Sequence, residues 1–410
     1  MELRRDYPLF LGPRRGTVSA MNAVRLPIVD PVPSAAAIAQ SLKGRNAEIE
    51  GLRRLPTDIV GSLAEAGLFR LLVPKAYGGG QAHPLTLFET VETMAKGDAA
   101  VAWCLMIAAT TGVTAAYLPP EEAKIVFGDP LAVTGGVFAP LGRATVEGDQ
   151  ASVTGRWAWA SGSAHCAWLM GGCVVQDASG PRKRADGSVE TRMFIAPRAQ
   201  VTLIDTWFAS GLKGTGSGDM AMEGVVIPYA RSVSLSHDRP VANDPLYAFP
   251  VFGLLALGIA GVACGNALGA LEDFEDLAGA KKPQGSSRSL AQRGSAQSAY
   301  AEARTGLLAA RALVREAVAE AFAEAERGEG LSLARRAGLR LACAHLVRTA
   351  ADVCRSLYDL GGGSSVYEHS PLQRRFRDAH VATQHIMTAP GVFELGGRAL
   401  LLGEGDWSTL

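Results

Sequence analysis

Residues Val251–Leu271 run without a charged side chain, and no other stretch restricts the fold so tightly. The run holds five glycines, one asparagine and few large side chains. That composition reads as a helix buried on all sides, in a helical bundle or a subunit interface, rather than as a lipid-facing span. The 410 residues exceed what one core usually organises, so two or three subdomains are expected. The 40 basic and 40 acidic side chains cancel, which leaves no electrostatic case for nucleic acid or an anionic membrane. The six cysteines form no C-x-x-C pair and fit reduced, buried thiols in a cytoplasmic protein.

Residues 1–33 carry basic groups, prolines and glycines but no long apolar core. They read as a flexible lead, not a signal peptide, and leave Met21 as an alternative start. Residues 34–130 have helical signals. Pro56 opens one helix, Tyr77–Gly80 is a loop, and Asp98 can cap the apolar run Ala99–Tyr117. Over 131–236 the period falls to two. Glu147-Gly148-Asp149 marks a hairpin, with further strands expected at Trp157–Ser163, Ala167–Gln176, Met193–Pro197 and Ala221–Ile227. Strands this short imply an antiparallel barrel or sandwich. Residues 237–410 return to helix, at Val251–Ala278, Leu290–Arg327, Leu331–Leu360 and around His385, as a four-helix bundle requires. The expected architecture is therefore α+β and multidomain: an N-terminal helical domain, a central β domain and a C-terminal four-helix bundle.

The segment Tyr358–Pro390 concentrates the local signals. Gly361, Gly362 and Gly363 cannot sit in a stable helix interior and let a ligand approach the backbone. Ser370-Pro371-Leu372-Gln373 has the form of a capping box, and the helix it opens is expected to run to Ala389-Pro390. On such a helix Asp378 and His385 share one face, with Arg377, Val381 and Gln384 on the neighbouring stripe. On pattern alone a lone helix histidine is more often structural. His380 and His385, five apart, make no metal pair. The glycines of Gly211–Asp219 miss the dinucleotide-binding spacing and precede a strand rather than a helix.

These motifs together resemble the acyl-CoA dehydrogenase superfamily over about Ser34–Gly403. The glycine turn followed by Arg377-Asp378-Ala379 resembles its C-terminal flavin-site segment. Gly211-Leu212-Lys213-Gly214-Thr215 with Val225–Pro228 resembles a loop and strand of its β domain, largely structural there. Trp157–Gly162 resembles the strand that lays a tryptophan and a hydroxyl against the isoalloxazine, and Trp159 and Ser161 fall on those positions. The ending Arg377–His385 is similar to the oxygenase-type branch, the two-component flavin monooxygenases. Dehydrogenases of the superfamily end this helix in Tyr-Glu-Gly, whose glutamate removes the substrate α-proton. Here His385, Ile386 and Met387 stand instead.

What the resemblance implies is a monooxygenase taking reduced FMN or FAD from a separate reductase, with O2 as co-substrate, to hydroxylate a small aromatic, heteroaromatic or amine molecule. His385 and Ser161 would be catalytic, His385 as the base or the hydrogen-bond partner of substrate and peroxide, and Ser161 as a donor to the N5 region of the flavin. Trp159, Ser161, Gly361, Gly362, Gly363 and Arg377 would hold the flavin. Lys281 and Lys282 lie where relatives place basic residues toward a flavin phosphate, although two adjacent lysines at a helix end are more often solvated; His165 and Trp168, by their nearness in sequence alone, would line the substrate side. A homotetramer without membrane or nucleic-acid partners is expected. Two alternatives stay open: an acyl thioester dehydrogenase with its base from elsewhere, and a flavin-binding subunit without turnover.

Overall fold

The computed structural model describes residues 30–410 apart from Glu329, Glu404, Asp406 and Ser408. Most of the expected N-terminal lead lies outside the described residues. Its last residues do not read as a lead, because Asp30 accepts the Val32 N–H and caps a helix that starts at Pro31.

Helices α1 (Pro31–Ser41), α2 (Asn46–Leu52), α3 (Thr57–Glu65), α4 (Pro84–Gly97), α5 (Ala99–Thr111) and α6 (Pro120–Phe127) come first. The Asp98 carboxylate accepts the N–H groups of Ala100 and Val101, so the chain enters α5 where the sequence marks it. The strands follow: β1 (Thr134–Glu147), β2 (Gln150–Trp157), β3 (Trp168–Asp177), β4 (Gly180–Pro181), β5 (Thr191–Pro197), β6 (Thr202–Ile204), β7 (Asp219–Pro228) and β8 (Ser232–Val233). Helices α7 (Pro245–Ala248), α8 (Val251–Ala280), α9 (Gly294–Glu326), α10 (Leu333–Gly361), α11 (Pro371–Ala382) and α12 (Gly391–Leu402) complete the chain.

Among the described residues the strands form one sheet in the order β6-β7-β2-β1-β3-β5-β8, with β4 on β3. It is mixed, not wholly antiparallel as expected, because β1 and β3 pair in parallel. The cause is local. Glu147 pairs with Gln150 across a tight hairpin, but ten residues separate β2 from β3. That longer passage carries the chain back to the far edge of β1 in β1's own direction. A bulge in the β1–β3 register between Val137 and Gly142 throws Phe138, Ala139 and Pro140 out of the ladder.

The strand expected over Trp157–Ser163 does not form: β2 ends at Trp157. The next residues make a turn in which Trp159 takes φ 63° and Gly162 φ 72°. It is pinned to the loop before β7, where the Ala160 N–H donates to the Gly218 carbonyl and the Gly162 N–H to that of Thr215.

Helix α8 packs against α4, α5, α10 and α11. Its apolar surface is therefore covered within one chain, and its charge-free composition is no argument for an oligomer. Ala99–Ala116 and Val251–Ala280 are both long and apolar enough to cross a membrane, yet both are packed inside the protein. Helix α11 stops at Ala382, short of the expected Ala389-Pro390, so His385 lies on the turn beyond it rather than on a helical face with Asp378. Ser370 and Pro371 do open α11, but the capping box is absent. Gln373 instead donates to the Glu368 carbonyl and accepts from Arg377.

Candidate functional site

A cavity of about 670 Å³ lies where α5, the β1 bulge, the Trp159 turn, the loop before β7, α8 and the turn after α11 converge. Its walls are mostly apolar, with Ile107, Phe138, Phe252 and Leu255 among them. Polar groups are few: a set of hydroxyls, Gln384 and His385. Among the described residues, no aspartate or glutamate lines it. The size and the mix of apolar wall with a few convergent polar atoms are those of a small-molecule site.

Trp159 stands on the cavity wall, 71 % exposed and with left-handed backbone. That conformation is a genuine outlier for a bulky residue and costs on the order of 1–3 kcal/mol, so the surrounding fold must hold it. The hydrogen bonds of Ala160 and Gly162 supply the hold.

Ser161 is buried and centres a line of polar contacts. Its Oγ accepts the Trp103 indole N–H at 3.1 Å and lies 2.6 Å from the Ser217 Oγ. The Ser217 Oγ is 2.6 Å from the Thr215 Oγ1, which donates to the Leu212 carbonyl at 2.8 Å. Leu212 is itself left-handed, at φ 47°. Its N–H donates to the buried Asp378 carboxylate at 2.6 Å, which ties the loop to α11. Burial, with Asp98 nearby, pushes Asp378 up to about 7.

His385 sits on the same cavity, its ring edge-on to Trp103 with centroids 5.8 Å apart. Trp103 therefore bridges the two residues expected to be catalytic. The His385 Nδ1 accepts the Met387 N–H at 3.2 Å, so the neutral ring carries its proton on Nε2. Burial, aided by the Arg340 guanidinium, lowers its pKa to about 4 and keeps it neutral at ordinary pH. Arg340, buried in α10, donates to the Met387 carbonyl at 3.2 Å and to that of Thr409, fixing the turn that presents His385.

Other expected residues do not line this cavity. The Gly361 carbonyl accepts from Lys281 Nζ at 2.5 Å at the end of α10, so this lysine holds the glycine turn in place. Arg377 bonds the Ser210 carbonyl and the Glu50 carboxylate, fastening α11 to α2 and the adjoining loop. His165 stacks on Phe69 and is lowered by burial to about 4. Trp168 lies under the Arg231 guanidinium. Conversely, Trp103, Thr215 and Ser217 line the cavity although no sequence motif marks them as site residues. The loop that supplies Thr215 and Ser217 was expected to be structural. Here it alternates: Thr215 and Ser217 face the main cavity, while Gly216 and Gly218 line a neighbouring cleft of about 390 Å³.

The family model for the acyl-CoA dehydrogenase N-terminal domain matches residues 35–124, and that for the C-terminal domain matches residues 257–390. Together they cover more than half of the chain. The chain is 29 % identical to an indole-3-acetate monooxygenase of Pseudomonas putida, over 88 % of this chain and 91 % of that protein. It is 28 % identical to HsaA of Rhodococcus jostii, described as the oxygenase subunit of a flavin-dependent monooxygenase, over 86 % and 93 %. The solved structure of the 3-HSA hydroxylase from Rhodococcus sp. RHA1 superposes with a TM-score of 0.85 at 26 % identity, covering 93 % of this chain and 99 % of that one.

Proposed function

From the premise that this chain belongs to the acyl-CoA dehydrogenase family and is a flavin-dependent oxidoreductase, we propose that it is a monooxygenase. It takes reduced FMN or FAD from a separate reductase and uses O2 to hydroxylate a small aromatic, heteroaromatic or amine substrate. The observation that carries this reading is the cavity lining, which among the described residues holds a neutral histidine and several hydroxyls but no carboxylate. An acyl thioester dehydrogenase needs a base for the α-proton, and an uncharged apolar site offers none of the usual strength. Apolar walls with a hydroxyl cluster beside Trp159 fit a flat isoalloxazine, which wants an aromatic neighbour and a few polar contacts at one edge.

Reduced flavin, when bound, supplies the electrons with which one oxygen atom of O2 is transferred and the other leaves as water. The protein's part is to bind, orient and donate. Trp159 would cover the ring and Ser161 would contact its polar edge. Gly361–Gly363 and Arg377 stand outside the cavity lining, so the flavin contacts are assigned to Trp159 and Ser161. Because the Nδ1 of His385 is engaged by Met387, its Nε2–H is the group available to a ligand. That favours a donor to substrate oxygen or nitrogen over a base. The wider proposal includes a cytoplasmic location, consistent with six buried, unpaired cysteines, and a homotetramer, which light scattering would show as a mass well above 42.9 kDa.

A coupled assay with NADH, a generic flavin reductase and a panel of phenols and indoles, read by product mass, tests the reading. His385→Ala should still bind reduced flavin yet lose about 10²–10³-fold in hydroxylation, the range for removing one positioned hydrogen-bond donor. His385→Gln, which can still donate, should keep part of the rate, which a lost base would not allow. Hydroxylation by His385→Ala at the wild-type rate would make His385 structural.

A further inference from the structure

We propose that Ser217 and Thr215 are positioning residues that fix Ser161 as a hydrogen-bond acceptor toward the cavity, and that the site thereby discriminates reduced from oxidised flavin. The inference rests on the flavin reading above and follows from counting protons. A hydroxyl has one proton to give. The Thr215 proton is committed to the Leu212 carbonyl, which can only accept. The 2.6 Å contact between Thr215 and Ser217 therefore uses the Ser217 proton. The 2.6 Å contact between Ser217 and Ser161 then uses the Ser161 proton. Trp103 enters from the other end as a pure donor. Every proton in the chain Trp103–Ser161–Ser217–Thr215–Leu212 points the same way, and Ser161 keeps only lone-pair capacity for a ligand.

The far end of the chain is anchored rather than free. Leu212, which receives the Thr215 proton, is held in left-handed backbone by the bond from its N–H to Asp378. Trp207 also donates to its carbonyl, at 3.2 Å. All three hydroxyl residues are buried, which strengthens the hydrogen bonds between them.

The chemical consequence concerns the flavin N5, the atom toward which the family resemblance sets Ser161 as a donor and at which the proton count makes it an acceptor instead. Reduced isoalloxazine carries a proton on N5 and donates there, whereas the oxidised ring has only a lone pair. An acceptor oxygen at Ser161 bonds the first and opposes the second. Removing the Ser217 hydroxyl frees the Ser161 proton to turn into the cavity, where it can donate to oxidised N5. Removing the Thr215 hydroxyl does the same by one further step, because Ser217 then donates to Ser161.

The test is anaerobic titration of wild type, Ser217→Ala, Thr215→Val and Ser217→Thr with oxidised and with dithionite-reduced FMN and FAD, read as the ratio of the two dissociation constants. A general loss of site integrity weakens both forms and leaves the ratio alone. The ratio in favour of reduced flavin should fall about tenfold in Ser217→Ala and in Thr215→Val, the size of one redirected hydrogen bond. It should be restored in Ser217→Thr, which keeps the hydroxyl. Should Ser217→Ala not fold, Thr215→Val decides on the same readout. Ratios within about twofold of wild type in the folded removal variants would overturn the assignment while leaving flavin binding intact. Failure of the wild type to bind either reduced flavin would instead bring down the flavin reading, and this inference with it.

Discussion

Trp157 and Trp159 lie two residues apart, but Trp157 is fully buried and donates its indole N–H to the Gly172 carbonyl at 2.7 Å, whereas Trp159 is 71 % exposed at the cavity. Around Trp157 the sheet is built to admit a large ring. A Cβ at Gly142, Gly155 or Gly171 would come within 2.3, 2.8 and 2.6 Å of the indole respectively. Around Trp159 the backbone is strained and the side chain is left uncovered. One tryptophan is part of the core that stiffens the sheet. The other is presented by that core. On a continuous strand both would point to the same face; ending β2 at Trp157 is what lets their roles separate.

Replacing each tryptophan should break the symmetry of the motif. Trp157→Ala leaves a large cavity in the sheet and should cost about 3–5 kcal/mol, seen as a large fall in thermal midpoint. Gly171→Ala pushes a methyl into the same indole and should cost about 1–3 kcal/mol by the same measurement. Trp159→Gly should act in the opposite sense. It relieves the left-handed strain, so stability should hold or rise by about 1 kcal/mol while reduced-flavin affinity falls. If Trp159→Gly lowers stability as much as Trp157→Ala, the two residues are both core and the distinction fails.

How much of this was legible in the sequence follows the same division. The order of helical, β and helical blocks could be read from period, prolines and caps, and Asp98 caps α5 as its position suggests. Ser161 and His385 are marked only by the family resemblance, and they converge on one cavity. The mixed sheet was not legible, because alternation says which face a residue takes but not which neighbour its strand meets. Trp103 was hidden for a different reason. Nearly every side chain of α5 is buried, so no face of the helix is set apart by pattern. Ser217 and Thr215 sit in a glycine loop where short hydroxyl residues ordinarily serve the turn itself. The expected face shared by Asp378 and His385 failed because nothing in the sequence marks the stop at Ala382 ahead of Pro390.

The smallest expected effect is a pH slope that compares the two half-buried imidazoles. His165, stacked on Phe69, and His385, on the cavity, are both depressed from 6.5 to about 4. A depressed group contributes stability that is full above 6.5 and is lost as pH falls through about 4. Asp378, raised from 3.8 to about 7, runs the other way, its contribution being lost as pH rises through about 7. His385→Gln should flatten part of the acid limb of the thermal midpoint against pH between 6.5 and 4. Parallel curves for the two proteins would mean that His385 is not held neutral in the folded state.

Isotopically labelled O2 tests most directly whether the cavity serves oxygen transfer. Purified protein, NADH, a flavin reductase and an indole or phenol should yield a product carrying one labelled oxygen atom, with the yield collapsing in His385→Ala. A product without label, or anaerobic bleaching of bound flavin by an acyl thioester, would contradict that role.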